Sequence, residues 1–149
     1  MSETPLQMTE RHVREGEQRI ANQKALIARL KHVGNAVPID EAVIFLGQME
    51  DFQRLSVEHM DRERAKEIAA FLKEKHGATM VLLFGSRAKG TSTPDSDIDI
   101  YFEGVPRERA LKAVGQCIYT FGENGIDYRP DCFCEPHFRK RVLAHGKPL

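Results

Sequence analysis

Two short apolar runs, TMVLLF at 79–84 and DIDIYFEG at 97–104, flank a polar stretch that opens on Gly85-Ser86. Each run is the length of a strand, and the first is continuous, as in a strand buried on both faces. The second alternates. Asp97 and Asp99 share one face of the strand, and Ile98 and Ile100 share the other. The isoleucines can bury against helices while both carboxylates project together. Whatever fold the chain adopts must supply one face for a core and another for two acids.

The remaining pattern is helical around these runs. Ala65, Ile68, Ala69 and Leu72 repeat at helical spacing up to Gly77. Pro106 opens another helix, with Ala110, Leu111, Val114, Ile118 and Phe121 expected on its inner side. IDYRPDCFC at 126–134 reads as a third strand, and Pro130 places it at an edge or a bulge. A last short helix carries Phe138, Val142 and Leu143 before Gly146. From about Gln7 to Met60 the reading is all helical. Val13, Ile20 and Ile27 recur at seven beside Leu26 and Leu30. Gly34 stops that helix, residues 35–40 form a turn, and Asp40 is a helix cap. A second helix turns Phe45, Met49, Phe52 and Leu55 inward, with Ser56 interrupting the stripe. The expected fold class is α+β: a small mixed sheet with helices packed on it, preceded by an N-terminal helical hairpin. The expected division is 1–60 and 61–149. Two helices cannot bury both faces alone, so the hairpin packs on the second half, on its own copy or on a partner.

Charge accounts for the chemistry. Two adjacent carboxylates repel, and one is driven neutral unless a cation compensates. Mg²⁺ suits them, because it takes oxygen ligands and is commonly held by one or two carboxylates plus substrate phosphates. The Gly85-Ser86 turn follows a buried strand and can present backbone N–H groups to a phosphate, with glycine allowing close approach. Ser86 adds a hydroxyl, and Arg87 and Lys89 add positive charge. GSRAKGTS has glycines at the spacing of an ATPase phosphate loop, but Thr91 stands where that motif needs lysine, which excludes it.

Gly85-Ser86, ten intervening residues and then Asp97-Ile98-Asp99 resemble the signature of the nucleotidyltransferase superfamily related to DNA polymerase β. The string GSRAKG…SDIDI is similar to its small bacterial, minimal branch, over Asp61 to Leu149. The resemblance implies transfer of a nucleoside monophosphate from an NTP, ATP foremost, to an acceptor hydroxyl, with pyrophosphate released. It implies two Mg²⁺ ions and a third carboxylate on a later strand. Ile126-Asp127 matches the family's pair there and is preferred to Asp131, which lies beyond Pro130. The implied metal and catalytic residues are Asp97, Asp99 and Asp127. Those for nucleotide binding are Gly85, Ser86, Arg87 and Lys89. Similar proteins act as antitoxins beside a HEPN-type partner and attach AMP to it, so the expected acceptor is a protein.

Plainer readings stand beside these. Asp97 and Asp99 fit an exposed strand face, Ser86 fits a helix cap, and Arg87 and Lys89 fit solvated charges. Arg129 shares the face of Asp127 and can meet phosphate or that aspartate. Cys132, Cys134 and His137 lack paired Cys-x-x-Cys spacing and read as packing rather than zinc. Arg139 to Arg141 read as a solvated helix face. Lys+Arg and Asp+Glu are both 22, a balance that disfavours broad nucleic-acid or membrane binding. No apolar run approaches the roughly 20 residues of a membrane helix. The polar first residues do not read as a signal peptide, and three cysteines suit a reducing cytoplasm. Two other functions remain open. One is a small-molecule transferase of the aminoglycoside type, which ordinarily needs a further domain after the point where this sequence ends. The other is a non-catalytic nucleotide-binding or assembly module. A homo-oligomer through the N-terminal helices is one way to cover the hairpin.

Overall fold

In a computed structural model, which describes residues 3–33, 39–93 and 95–149, the first apolar run becomes strand β1, Met80–Phe84. The second becomes β2, Ile98–Glu103, paired antiparallel to β1. The third, β3, Ile126–Pro130, runs parallel to β2. With a two-residue strand β4, Lys147–Pro148, the order β3-β2-β1-β4 makes the sheet mixed and puts β3 at an edge, where Pro130 lacks only an N–H that a neighbour there does not need. The fold is α+β, as expected. Strand β4, Lys147–Pro148, was not legible in the sequence: two residues, one of them proline, carry no strand signal.

The chain divides into two compact units, Met1–Met60 and Asp61–Leu149. In the second, alternation along β2 separates two faces. Ile98, Ile100 and Phe102 join Val81, Leu83, Ile126 and Tyr128 in the main core. Helix α2, Ile39–His76, contributes Ala65, Ile68, Ala69 and Leu72. Fully burying a side chain such as Phe102 or Ile68 contributes about 1.5–3 kcal/mol. Helix α4, Arg107–Phe121, presents Ala110, Ala113 and Cys117 to the same core. The expected stripe is thus rotated: Leu111 is 70% exposed, and small residues bring the helix close to the sheet. On the opposite face Leu82 and Tyr101 meet Val142 of helix α5, Pro136–His145, whereas Leu143 turns outward. Arg139 is exposed, as expected of a solvated helix face, but it is also paired. It grips Glu103 at 2.9 and 3.1 Å, and the Tyr101 hydroxyl donates to the same carboxylate at 2.7 Å.

Two expected helices are one. Residues 39–76 run without interruption because nothing between Ser56 and Ala65 breaks a helix, and Asp40 lies inside its first turn. Gly77 ends it at a φ of +73°, with Gly77 N–H donating to Lys73 O and Ala78 N–H to Leu72 O. The first unit holds helix α1, Pro5–Val33, and the first part of α2. Val13 and Ile27 are buried, with Ile20 and Leu30 half-buried. On α2 the inner positions are Leu46, Met49 and Gln53, whose amide donates to Val13 O at 2.7 Å. Phe45, Phe52 and Leu55 face outward instead of inward, and so does Leu26 of α1. The expected stop at Gly34 and most of the turn after it lie outside the described residues. No helix among the described residues is long and apolar enough to cross a membrane.

Candidate active site

Strand β1 ends in extended backbone at Phe84 and turns at Gly85, whose φ of +72° is left-handed. A five-residue helix, α3, Gly85–Lys89, follows and closes on Gly90 at φ +73°, with the N–H groups of Gly90 and Thr91 both directed to Ser86 O. No side chain caps the start of α3, so the plain reading of Ser86 as a cap finds no hydrogen bond there. Ser86 is half-buried and Lys89 is exposed. The Arg87 side chain is not solvated. It is 8% exposed and pairs with Asp61 of α2 at 2.5 Å, while its second terminal nitrogen donates to Ser96 O.

The sheet register gathers the acids. Asp99 lies beside Phe84 of β1 on one side and beside Asp127 of β3 on the other. A β-carbon built on Gly85 would fall 2.0 Å from Asp99 Oδ2, so that carboxylate sits directly over the glycine. Asp97 stands one residue before β2 and is exposed, with an oxygen 4.0 Å from where a Gly125 β-carbon would be. Burial first, and then the negative charges of Asp127 and Asp97, push the Asp99 carboxyl up to about 6 against the opposing pull of Arg129 and Arg87. Arg129 donates to Asp127 Oδ2 at 2.8 Å and is itself held more firmly protonated by that bond. Asp131 lies past the strand in a single 3-10 turn, Asp131–Phe133.

Among the described residues no three acidic, histidine or cysteine side chains close tightly enough to enclose an ion as they stand. Repulsion spreads the carboxylates and Arg129 draws Asp127 aside. Asp97 and Asp127 are nonetheless close enough to raise Asp99, and an all-oxygen anionic set fits a hard divalent cation. Cys132, Cys134 and His137 do not converge, and Cys134 Sγ donates to Pro130 O.

Residues 65–129 match the nucleotidyltransferase domain family. The match spans Gly85, Ser86, Arg87, Lys89, Asp97, Asp99 and Asp127, and it ends before Asp131. The chain is similar to a candidate nucleotidyltransferase from Sulfolobus solfataricus, with 24% identity over 63% of this chain and 83% of the other, at a TM-score of 0.46. A toxin–antitoxin structure with AMP-PNP is 18% identical over 55% of this chain and 69% of its own, at 0.44. A mutant form of the toxin–antitoxin MntA-HpeT is 21% identical over 56% and 68%, at 0.43. No curated protein sequence matches the chain.

Three features of the site were not legible in the sequence. Asp61 and Ser96 meet Arg87 only through tertiary structure, and no local spacing announces such a pair. A cleft of about 500 Å³ at the β3 edge is lined by Leu111, Arg129, Phe133 and Phe138 from four separate elements. The exposure of Leu111 and Phe133 that forms it is visible only in the folded chain.

Proposed function

We propose that the chain transfers a nucleoside monophosphate, AMP from ATP foremost, to a hydroxyl of a partner protein, as an antitoxin-type enzyme acting beside a HEPN-type toxin. The observation that carries the proposal is the placement of the Asp99 carboxylate over Gly85 with Asp127 abreast of it. A triphosphate seated on the glycine turn would have its reacting phosphorus beside the acids.

Gly85, Ser86 and Lys89 hold the β and γ phosphates, and the Arg87 backbone contributes to the same turn. Asp97, Asp99 and Asp127 would hold two Mg²⁺ ions, which stabilise charge on the attacking and leaving oxygens and lower the pKa of the acceptor hydroxyl. The acceptor oxygen forms a bond to the α-phosphorus. The bond from that phosphorus to the α–β bridging oxygen breaks, and pyrophosphate leaves. Asp127, on the edge strand, would take the acceptor's proton. The rest of the effect is positioning and charge stabilisation. The division at residue 60 assigns the chemistry to 61–149. The outward Phe45, Phe52 and Leu55 support a hairpin that pairs with its own copy.

The cleft favours a second reading, a small-molecule acceptor, since about 500 Å³ is the size of a ligand pocket. Its exposed rim at Leu111 and Phe133 suits a protein side chain better. Incubation with Mg²⁺ and each α-labelled NTP, in turn with lysate and with candidate small molecules, separates the two. Label on a polypeptide supports the first, label on a small molecule the second. Binding without transfer to any acceptor leaves a non-catalytic module.

A further inference from the structure

Asp99 is fixed from both sides by the sheet, but Asp97 precedes the strand and has no register partner. Its neighbours are tied down by other means. Ile98 N–H donates to Gly125 O at 2.7 Å. Ser96 N–H donates to Thr93 O at 3.0 Å, and the Ser96 hydroxyl accepts from Thr93 N–H at 2.8 Å. The third tie is the Arg87 guanidinium on Ser96 O. Arg87 is the residue after Ser86, and Ser96 is the residue before Asp97. One side chain therefore joins the glycine turn to the acid-bearing segment, and Asp61, itself 9% exposed, holds that side chain in place at 2.5 Å.

We infer that Arg87 is a positioning residue: anchored on Asp61 and donating to the Ser96 carbonyl, it fixes the backbone that carries Asp97 against the Gly85 turn. An arginine is required because its planar fork can serve two acceptors at once, which a lysine ammonium does at lower precision. The functional consequence rests on the nucleotidyltransferase reading; the structural consequence does not.

Removing one partner leaves a buried charge and endangers folding, whereas replacing both with apolar residues of similar size is often tolerated. The test is therefore the double variant Asp61→Leu/Arg87→Met in the full chain, read in three ways. Amide exchange at Ser96 and Ile98 is expected to quicken about tenfold or more while β1 and the rest of β2 stay protected. Mn²⁺ binding, measured by calorimetry without nucleotide, is expected to weaken about 10- to 100-fold. Turnover is expected to fall about 10- to 100-fold, with KM for the NTP within about threefold. A folded double variant with unchanged exchange overturns the inference. So does one whose exchange quickens while Mn²⁺ affinity and kcat stay at wild-type values. If the double variant does not fold, Arg87→Lys is read by the same measurements and decided the same way. A wild-type protein that neither binds Mn²⁺ nor transfers label refutes the proposed function instead, and the exchange result alone then decides whether Arg87 holds the segment.

Discussion

Gly85 lies beneath the carboxylate of Asp99, so close that a β-carbon would stand 2.0 Å from Oδ2. The turn and the acid strand, 14 residues apart, are packed at the one place where a glycine permits contact. Gly85 also takes a φ of +72°, which costs an ordinary residue about 1–2 kcal/mol. Gly85→Ala therefore carries two penalties, one in backbone strain and one in displacing Asp99. The expected result is a fold destabilised by at least that amount, seen as a lower melting temperature, and a much larger loss of transfer, about 100-fold. Thermal melts beside labelled transfer check it. An alanine variant with wild-type turnover would show that the close approach has no bearing on the chemistry.

Asp99 makes metal-free stability depend on pH. Its carboxyl is raised from 3.8 to about 6 in the folded chain, so the folded state binds the proton more tightly than the unfolded one. The resulting stabilisation is fully present below pH 3.8 and is lost as pH rises through about 6. At pH 7.5 the charged form is therefore a liability. Asp99→Asn is expected to stabilise the metal-free protein there by about 1–2 kcal/mol, allowing for partial exposure, and to give no gain at the acid limit. Mg²⁺ is expected to stabilise the wild type and not this variant. Urea titrations across pH, with and without the ion, measure both effects.

His76 acts in the opposite direction. It is buried at the end of α2, its ring centroid 5.5 Å from that of Phe71, and burial lowers its pKa, with Arg109 and Lys112 adding to the effect. A depressed histidine favours the folded state above its unfolded value of about 6.5, and that advantage is lost as pH falls below it. His76→Phe is expected to flatten the decline in stability as pH falls below about 6.5. An unchanged decline in the same urea titrations would assign it to other groups.

Arg129 competes for Asp127. Its bond at 2.8 Å lies at the protein surface, where such pairs contribute about 0–1 kcal/mol. Arg129→Gln is therefore expected to tighten Mn²⁺ binding by up to about fivefold, with KM for the NTP little changed. A several-fold rise in that KM with unaltered Mn²⁺ affinity would instead make Arg129 a phosphate contact.

The sequence was most legible where one period dominates. The alternation at 97–103 placed the isoleucines in the core and both aspartates on the other face, and the structure keeps that division. Gly77 and Pro106 marked helix ends for backbone reasons that need no tertiary context. Helix faces were less legible. Leu111, Phe45 and Phe52 are apolar and exposed, while Ala113 and Gln53 turn inward, because closeness of packing and a buried amide bond outweighed hydropathy. The role of Arg87 was hidden for another reason. A basic residue beside a phosphate turn suggests an anion, and only the fold brings Asp61 and Ser96 to it.

The account depends above all on Asp127 completing the acid group that Asp97 and Asp99 begin. Single-turnover transfer from α-labelled ATP, compared between Asp127→Asn and Asp131→Asn, tests it most directly. The account predicts a loss of at least about 1,000-fold for Asp127→Asn and a rate within about threefold of wild type for Asp131→Asn. A dead Asp131→Asn beside an active Asp127→Asn would contradict it.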